Sequence, residues 1–114
     1  MEHYILVGKT PVKIEDFKDW TLASANQKNT VAYDFIYGVR VSTVFLGIDH
    51  GFKPGDKPVL FETMVFGGKH DQFQERYCTW DEAESGHKTA LKMVKPGVLG
   101  MISYWLKSVF LGKR

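Results

Sequence analysis

Four short segments of the chain are rich in β-branched and aromatic residues: residues 3–7, 30–36, 39–48 and 58–66. This composition predicts β-strands. Gly8 and Pro11 are expected to end the first strand. Residues 30–36 alternate in polarity and Tyr37-Gly38 follows as a turn, so the second and third strands are expected to pair as an antiparallel hairpin.

Two other segments place apolar residues at the steps of three and four that are typical of helices. In residues 14–26 the stripe consists of Ile14, Phe17, Trp20, Thr21 and Ala25. The second helix is expected to begin at Thr79, where Thr-Trp-Asp-Glu matches a capping box, and to end at Lys95-Pro96-Gly97. One face of this second helix collects Trp80, Ala83, His87, Ala90, Leu91 and Val94. His87 is therefore predicted to face the sheet.

The element order β-α-β-β-β-α predicts an α+β domain over residues 1–95, with an antiparallel sheet of about four strands and helices packed on one face. A chain of 114 residues, 44% of them hydrophobic, has the size of one domain and can bury a core without disulfides or a structural metal. The polar residues 49–57 between the third and fourth strands predict an exposed loop.

Residues 96–114 are predicted to form an apolar helical tail. Its apolar residues nearly surround the helix apart from Gly100, Ser103 and Lys107. Such a segment is too apolar to be left in water and too short to span a bilayer. We expect it to dock on the domain or on another subunit of a homo-oligomer, and contact with a membrane surface is the alternative.

Charge and cysteine content narrow the classes of function. A formal net charge of +2 with 25% charged residues lacks the basic footprint of a nucleic-acid-binding domain, so no nucleic-acid partner is expected. The single cysteine, Cys78, cannot form an internal disulfide, and the first residues, MEHYILVGK, lack the pattern of a secretion signal. We therefore expect a cytoplasmic protein.

Most of the ionisable residues that could bind a ligand or take part in catalysis lie in or near residues 39–80. Imidazole and carboxylate groups ligate zinc, manganese or iron, and they serve as general acids and bases near neutral pH. Their spacing here matches no compact metal signature, so folding would have to bring them together. Otherwise they cap loops and cover the surface. The set is Asp49, His50, Glu62, His70 and His87, of which His50, Glu62, His70 and His87 would form the metal site of a hydrolase.

Glu62 lies at a position where strand alternation leaves two interpretations. In the first, it shares an inward face with Leu60, Met64 and Phe66 and needs a partner such as Arg40 or His87. In the second, Phe61, Thr63 and Val65 face inward and Glu62 lies on a half-apolar outer face.

Three further positions carry alternatives of their own. A lone histidine on an apolar helix face, such as His87, is more often a hydrogen-bonded core residue than a ligand. Gly86 beside it costs the helix about 1 kcal/mol relative to alanine, which favours close approach of the helix backbone to the sheet or to a bound molecule. Gly67-Gly68 predicts a turn with positive φ, with anion binding by its amides as the weaker alternative.

Aromatic residues suggest a further kind of ligand. Phe52, Phe73 and Tyr77 lie in polar stretches near Arg76 and Lys69. This combination can stack a flat ring and hold its phosphate, so sequestration of a nucleotide signal is one hypothesis.

The motifs VSTVFLGIDH, FETMVFGG and ERYCTWDEAESGHK together resemble an uncharacterised family of small phage and prophage proteins, over about residues 1–95. The resemblance implies a soluble intracellular accessory protein that modulates host processes or host defence. It carries over no catalytic residues, and the tail departs from the family pattern.

The preferred prediction is a non-enzymatic accessory or interaction protein that self-associates and binds a protein or small ligand, without a cofactor. The alternatives are a metal-dependent hydrolase and a nucleotide-sequestering protein. The residues predicted to bind are Asp49, His50, Phe52, Glu62, Glu75, Arg76, Tyr77 and His87.

Overall fold

A computed structural model describes residues 2–51 and 55–95. The described elements are β1 (His3–Val7), β2 (Thr10–Ile14), α1 (Phe17–Ser24), β3 (Thr30–Ile36), β4 (Val39–Phe45), β5 (Phe61–Phe66), β6 (Gln74–Tyr77) and α2 (Trp80–Val94). They form a two-stranded sheet, β1-β2, and a four-stranded sheet in the order β3-β4-β5-β6, with every pairing antiparallel. The predicted α+β class with a four-stranded antiparallel sheet is confirmed. The predicted tail, residues 96–114, lies outside the described residues, as does Phe52.

Two strands were not predicted. Residues 10–14 form β2, in which Pro11 pairs with Leu6 of β1 instead of ending the strand. A two-stranded hairpin leaves one side of each strand without a ladder, so the missing N–H of proline is tolerated there. The polar segment Gln74–Tyr77 forms β6 at one edge of the large sheet, where a strand can be polar because little covers it.

The hairpin β1-β2 is separate from the large sheet, in contrast to the predicted single sheet that included residues 3–7. It joins the segment after β4, where the Tyr4 amide donates to the Gly47 carbonyl over 2.8 Å. The helix α1 contacts this hairpin and has no buried residue. It begins later than predicted, because Ile14 belongs to β2 and the Asp16 carboxylate caps the helix by accepting the Asp19 amide.

The core lies between α2 and one face of the large sheet. The turn at Tyr37 and Gly38, both with positive φ, joins β3 to β4 in the predicted hairpin. One core cluster contains Tyr4, Phe45, Leu60, Phe61 and Ala83, and the other contains Val39, Val41, Val65 and Ala90. No helix within the described ranges is long and apolar enough to cross a membrane.

The helix α2 starts and faces as predicted. The Thr79 hydroxyl accepts the Glu82 amide, and the Glu82 carboxylate accepts the Thr79 amide, which completes the capping box. Ala83, His87 and Ala90 are its buried residues, so the prediction that His87 faces the sheet is confirmed.

Candidate functional site

A network of hydrogen-bonded polar side chains, here called the polar network, crosses the core beneath α2. His87 is 4% exposed, and its Nε2 lies 2.8 Å from Asp34 Oδ2 while its Nδ1 lies 2.7 Å from Thr43 Oγ1. Thr43 Oγ1 is 2.6 Å from Thr63 Oγ1, and the Tyr77 hydroxyl donates to Thr63 over 3.1 Å. Five residues from three strands, a strand end and a helix are thereby connected.

With a neutral imidazole, the acceptor at one end sets the direction of every bond in this network. A carboxylate only accepts, so Nε2 of a neutral His87 carries the proton and donates to Asp34. Nδ1 then accepts from the Thr43 hydroxyl, and Thr43 in turn accepts from Thr63. The Thr43 and Thr63 hydroxyls each donate once and accept once, so the buried polar groups of this network are satisfied.

The order Asp-His-Thr resembles a catalytic triad, but the polar network presents no nucleophile to a substrate. Thr43 and Thr63 are both 0% exposed, so neither hydroxyl can meet a molecule from solvent. Both imidazole nitrogens of His87 are engaged. The polar network therefore stabilises the packing of α2 on the sheet. Asp34 was not predicted to belong to it, although Asp34 alternates with Ala32 and Ile36 on the inward face of β3, and this alternation could have indicated it.

Gly86 and Tyr77 are in direct contact at one end of the polar network. A Cβ atom built on Gly86 would overlap the hydroxyl and ring of Tyr77. The glycine thus admits the phenol against the helix backbone, which confirms the predicted close approach. Burial raises the pKa of Tyr77, the hydrogen bond to Thr63 opposes this, and Glu75 adds to the rise.

Glu62 lies on the face of the sheet opposite α2. Phe61, Thr63 and Val65 are fully buried, which is the second of the two predicted interpretations. The Arg76 Nε lies 3.0 Å from Glu62 Oε2, and the Gln74 amide also donates to that oxygen.

The partners predicted for Glu62 were therefore wrong. The Arg40 guanidinium lies over the Phe66 ring, 4.6 Å from its centroid. His87 lies across the sheet and is bound to Asp34 and Thr43. Glu62 and His87 share no pocket, because neighbouring residues of a strand point to opposite faces and Thr63, the residue next to Glu62, faces α2.

The loop after β4 and the strand β6 enclose a cleft of about 550 Å³. The His50 Nδ1 donates to the Ile48 carbonyl over 2.7 Å, so in the neutral ring Nε2 is left as an acceptor. Asp49 Oδ1 accepts the amides of Gly51 and Val59, so this predicted binding residue closes the loop. The cleft is lined by His50, Gly51, Asp56, Lys57, Val59, Arg76 and Cys78.

Cys78 lies in this cleft with a thiol that is poorly suited to nucleophilic chemistry at neutral pH. Burial raises its pKa, and the nearby Glu82 carboxylate raises it further. Because the thiolate is the reactive form, Cys78 is less reactive than a free thiol.

The remaining predicted residues lie apart from the cleft. His70 lines a smaller cavity of about 270 Å³ beside the end of α2. Gly67 and Gly68 both have positive φ, and the Gly67 amide donates to Asp71 Oδ1 over 2.6 Å, so that amide is occupied by a side chain of the same turn. Glu75 is exposed on β6.

The predicted metal cluster does not form. His50 lies in the loop cleft, His70 in the turn after β5, and Glu62 and His87 on opposite faces of the sheet. Within residues 2–51 and 55–95, no three His, Cys, Asp or Glu side chains are grouped so that they could hold a metal ion.

The second face of the large sheet, here called the open face, combines aromatic, aliphatic and charged side chains. α2 packs on the other face and α1 packs against the hairpin, so neither described helix covers it. Tyr33 is 53% exposed and Phe35 is 65% exposed. Its residues are Tyr33, Phe35, Arg40, Ser42, Val44, Glu62, Met64, Phe66, Gln74 and Arg76.

Comparison of the chain with protein-family models, with curated proteins and with solved structures finds no match.

Proposed function

We propose that this protein is a non-enzymatic interaction protein that self-associates through the open face. The observation that carries the proposal is the exposure of Tyr33 and Phe35, 53% and 65%, on a sheet face that no described helix covers. Exposed apolar patches framed by polar residues are typical of protein interaction sites.

The area that a partner would bury on these two rings is large. Aromatic side chains bury about 150–250 Å² each, so roughly half exposure leaves about 100 Å² per ring. At about 25 cal/mol per Å², burying that area would contribute about 2.5 kcal/mol per ring. Arg40 is the cross-strand neighbour of Phe35 on the open face, and aromatic residues and arginine are the types most often found at the centres of interfaces.

An interaction role is also consistent with the polar network in the core. The Thr43 and Thr63 hydroxyls are buried and both imidazole nitrogens of His87 have partners, so in this proposal the network ties α2 to the sheet beneath the open face. A rigid scaffold lowers the entropy lost when a partner binds. The resemblance to small phage and prophage proteins supports a cytoplasmic accessory role in host processes or host defence as part of this proposal.

The test is the mass of the full chain in solution, measured by light scattering across a range of concentrations. We expect a dimer or larger oligomer, and we expect Phe35→Asp to convert it to a monomer with an unchanged circular dichroism spectrum. Phe17→Asp is the matched control, because Phe17 is 62% exposed but lies on α1. A monomeric unmodified chain, or equal dissociation by both variants, would contradict the proposal.

A second candidate function is the binding of a small anionic ligand in the loop cleft. Lys57, Arg76 and His50 line a cleft of about 550 Å³ together with one acid, Asp56, and its volume is within the range of about 300–1,000 Å³ that is usual for ligand sites. Arg76 is also paired with Glu62, so Lys57 is the cation of the cleft that has no ion pair among the described residues. Tight binding raises the melting temperature, since the ligand stabilises only the folded state. We expect a nucleotide to raise it in the unmodified chain and to have less effect in Lys57→Ala. A flat response across a nucleotide panel would eliminate this candidate.

A further inference from the structure

We infer that the C-terminal segment, residues 97–114, of one copy docks on the open face of a second copy, and that the second copy returns the same contact. The inference rests on the proposed self-association and identifies what covers the open face. It joins two surfaces of the same chain that both require cover: the apolar tail sequence and the exposed aromatic residues of the sheet.

The tail has the composition of an occupant for such a face. Ten of its eighteen residues are apolar, and it contains three cations and no acidic residue. A face-to-face dimer of two sheets would bury Tyr33 and Phe35 but would make no use of those ten side chains. The ten are Val98, Leu99, Met101, Ile102, Tyr104, Trp105, Leu106, Val109, Phe110 and Leu111.

The dimensions of the tail and the open face agree. Eighteen residues in a helix span about 27 Å. Four strands at about 4.8 Å spacing give a width of about 15–20 Å. Three of them are six or seven residues long, which at about 3.3 Å per residue gives a length of about 20–23 Å, and the edge strand β6 is shorter, with four residues. A helix that crosses the open face at a slant would therefore cover most of its length.

The position of the last described residues favours exchange between copies. Met93, Val94 and Lys95 line the cavity beside Val39 and Gly67, so the chain leaves the domain on the α2 side at one end of the sheet. The pair Arg40 and Phe66 begins the open face at that same end, but on the opposite side.

A tail that returned to its own open face would have to pass from the layer of α2 around the end of the sheet to the layer beyond it, which is two interlayer spacings. With about 10 Å between layers, the crossing is about 20 Å, and an extended chain covers at most about 3.3–3.6 Å per residue. About six residues would be used, and residues 96–101 include Val98, Leu99 and Met101. Those apolar residues would be left outside the face, so return of the tail to its own copy would use only part of its apolar sequence.

The outer surface of α2 is a poor alternative. Lys88 and Lys92 are exposed on the half of this helix from which the tail departs, and Lys95 caps its end, whereas the exposed acids Asp81 and Glu82 lie in the first turn, at the far end. The tail adds only further cations, which are Lys107, Lys113 and Arg114. Like charges in close contact are unfavourable.

The test uses two variants of the full chain. The face variant carries Tyr33→Asp and Phe35→Asp and keeps an intact tail. The tail variant carries Leu106→Asp and Phe110→Asp and keeps an intact face. Each variant alone is expected to be monomeric by native mass spectrometry. A mixture, with one variant isotopically labelled, is expected to form a 1:1 heterodimer, because an intact tail then meets an intact face.

The outcomes separate this inference from the proposed function. If the tail variant alone remains dimeric while the face variant is monomeric, self-association through the open face stands and the tail is not its occupant. If both variants are monomeric and their mixture is too, exchange is overturned. If the unmodified chain is monomeric, the proposed function fails as well. The control Phe17→Asp is expected to stay dimeric.

Discussion

Replacing Gly86 by alanine is expected to destabilise the protein, although alanine is the better helix former. Gly86 lies inside α2 and does not have positive φ, so its backbone accepts any L-residue. In an unobstructed helix the change would stabilise by about 1 kcal/mol. Here the new methyl group would overlap the hydroxyl and ring of Tyr77.

The opposing terms can be estimated from the contacts of Tyr77. Forcing extra volume into a packed site typically costs about 1–3 kcal/mol. Moving the phenol also breaks its hydrogen bond to Thr63, which is worth about 1 kcal/mol. After the gain in helix propensity is subtracted, the expected loss is about 2 kcal/mol. For a domain of about this size, that lowers the melting temperature by about 8 °C.

The assay is thermal and urea unfolding of a double-mutant cycle. In a Tyr77→Ala background the obstruction is absent, so Gly86→Ala should raise the free energy of unfolding by about 1 kcal/mol. Ser85→Ala, at the exposed neighbouring position, reports the propensity effect without a contact to Tyr77. Stabilisation by Gly86→Ala in the presence of Tyr77, or the same effect in both backgrounds, would refute the packing argument.

Three further substitutions or titrations test other parts of the structure. Thr43→Val leaves His87 Nδ1 without its donor and should cost about 2 kcal/mol or more in urea unfolding; no loss would show that the hydrogen bond is unimportant. Thr79→Ala removes the cap of α2 and should cost about 1 kcal/mol, whereas Thr89→Ala, on an exposed turn of the same helix, should cost little. Because burial raises the pKa of Cys78, its alkylation by iodoacetamide should be slower than that of free cysteine at neutral pH and should accelerate only at a higher pH; an equal pH profile would contradict this.

The sequence predicted the elements with strong periodicity and missed those without it. The capping box and the inward side of α2 follow from local spacing, and the structure confirms both. The strand β6, Gln74–Tyr77, has no apolar alternation, because it lies at an edge and is mostly exposed. Its strand character depends on the ladder offered by β5, which is a tertiary effect.

The phase of β5 shows why the candidate site was harder to predict than the fold. Alternation gives two faces but does not say which one is inward. The residues 60, 62, 64 and 66 include three large apolar side chains, whereas the inward face contains Thr63. Thr63 is acceptable there only because Thr43 and Tyr77 satisfy its hydroxyl, and these partners are 20 and 14 residues away in sequence.

The polar network beneath α2 also affects whether this small protein adopts a single native arrangement. Apolar contacts are less directional than hydrogen bonds, and the two hydrogen bonds of 2.6 and 2.7 Å at Thr43 persist only while donor and acceptor stay within about 3 Å of each other. Replacing every side chain of the polar network by an apolar residue of similar shape could leave the free energy of unfolding nearly unchanged. What would be lost is the single position of α2 along the strands, and with it the sharp separation of one native arrangement from its neighbours.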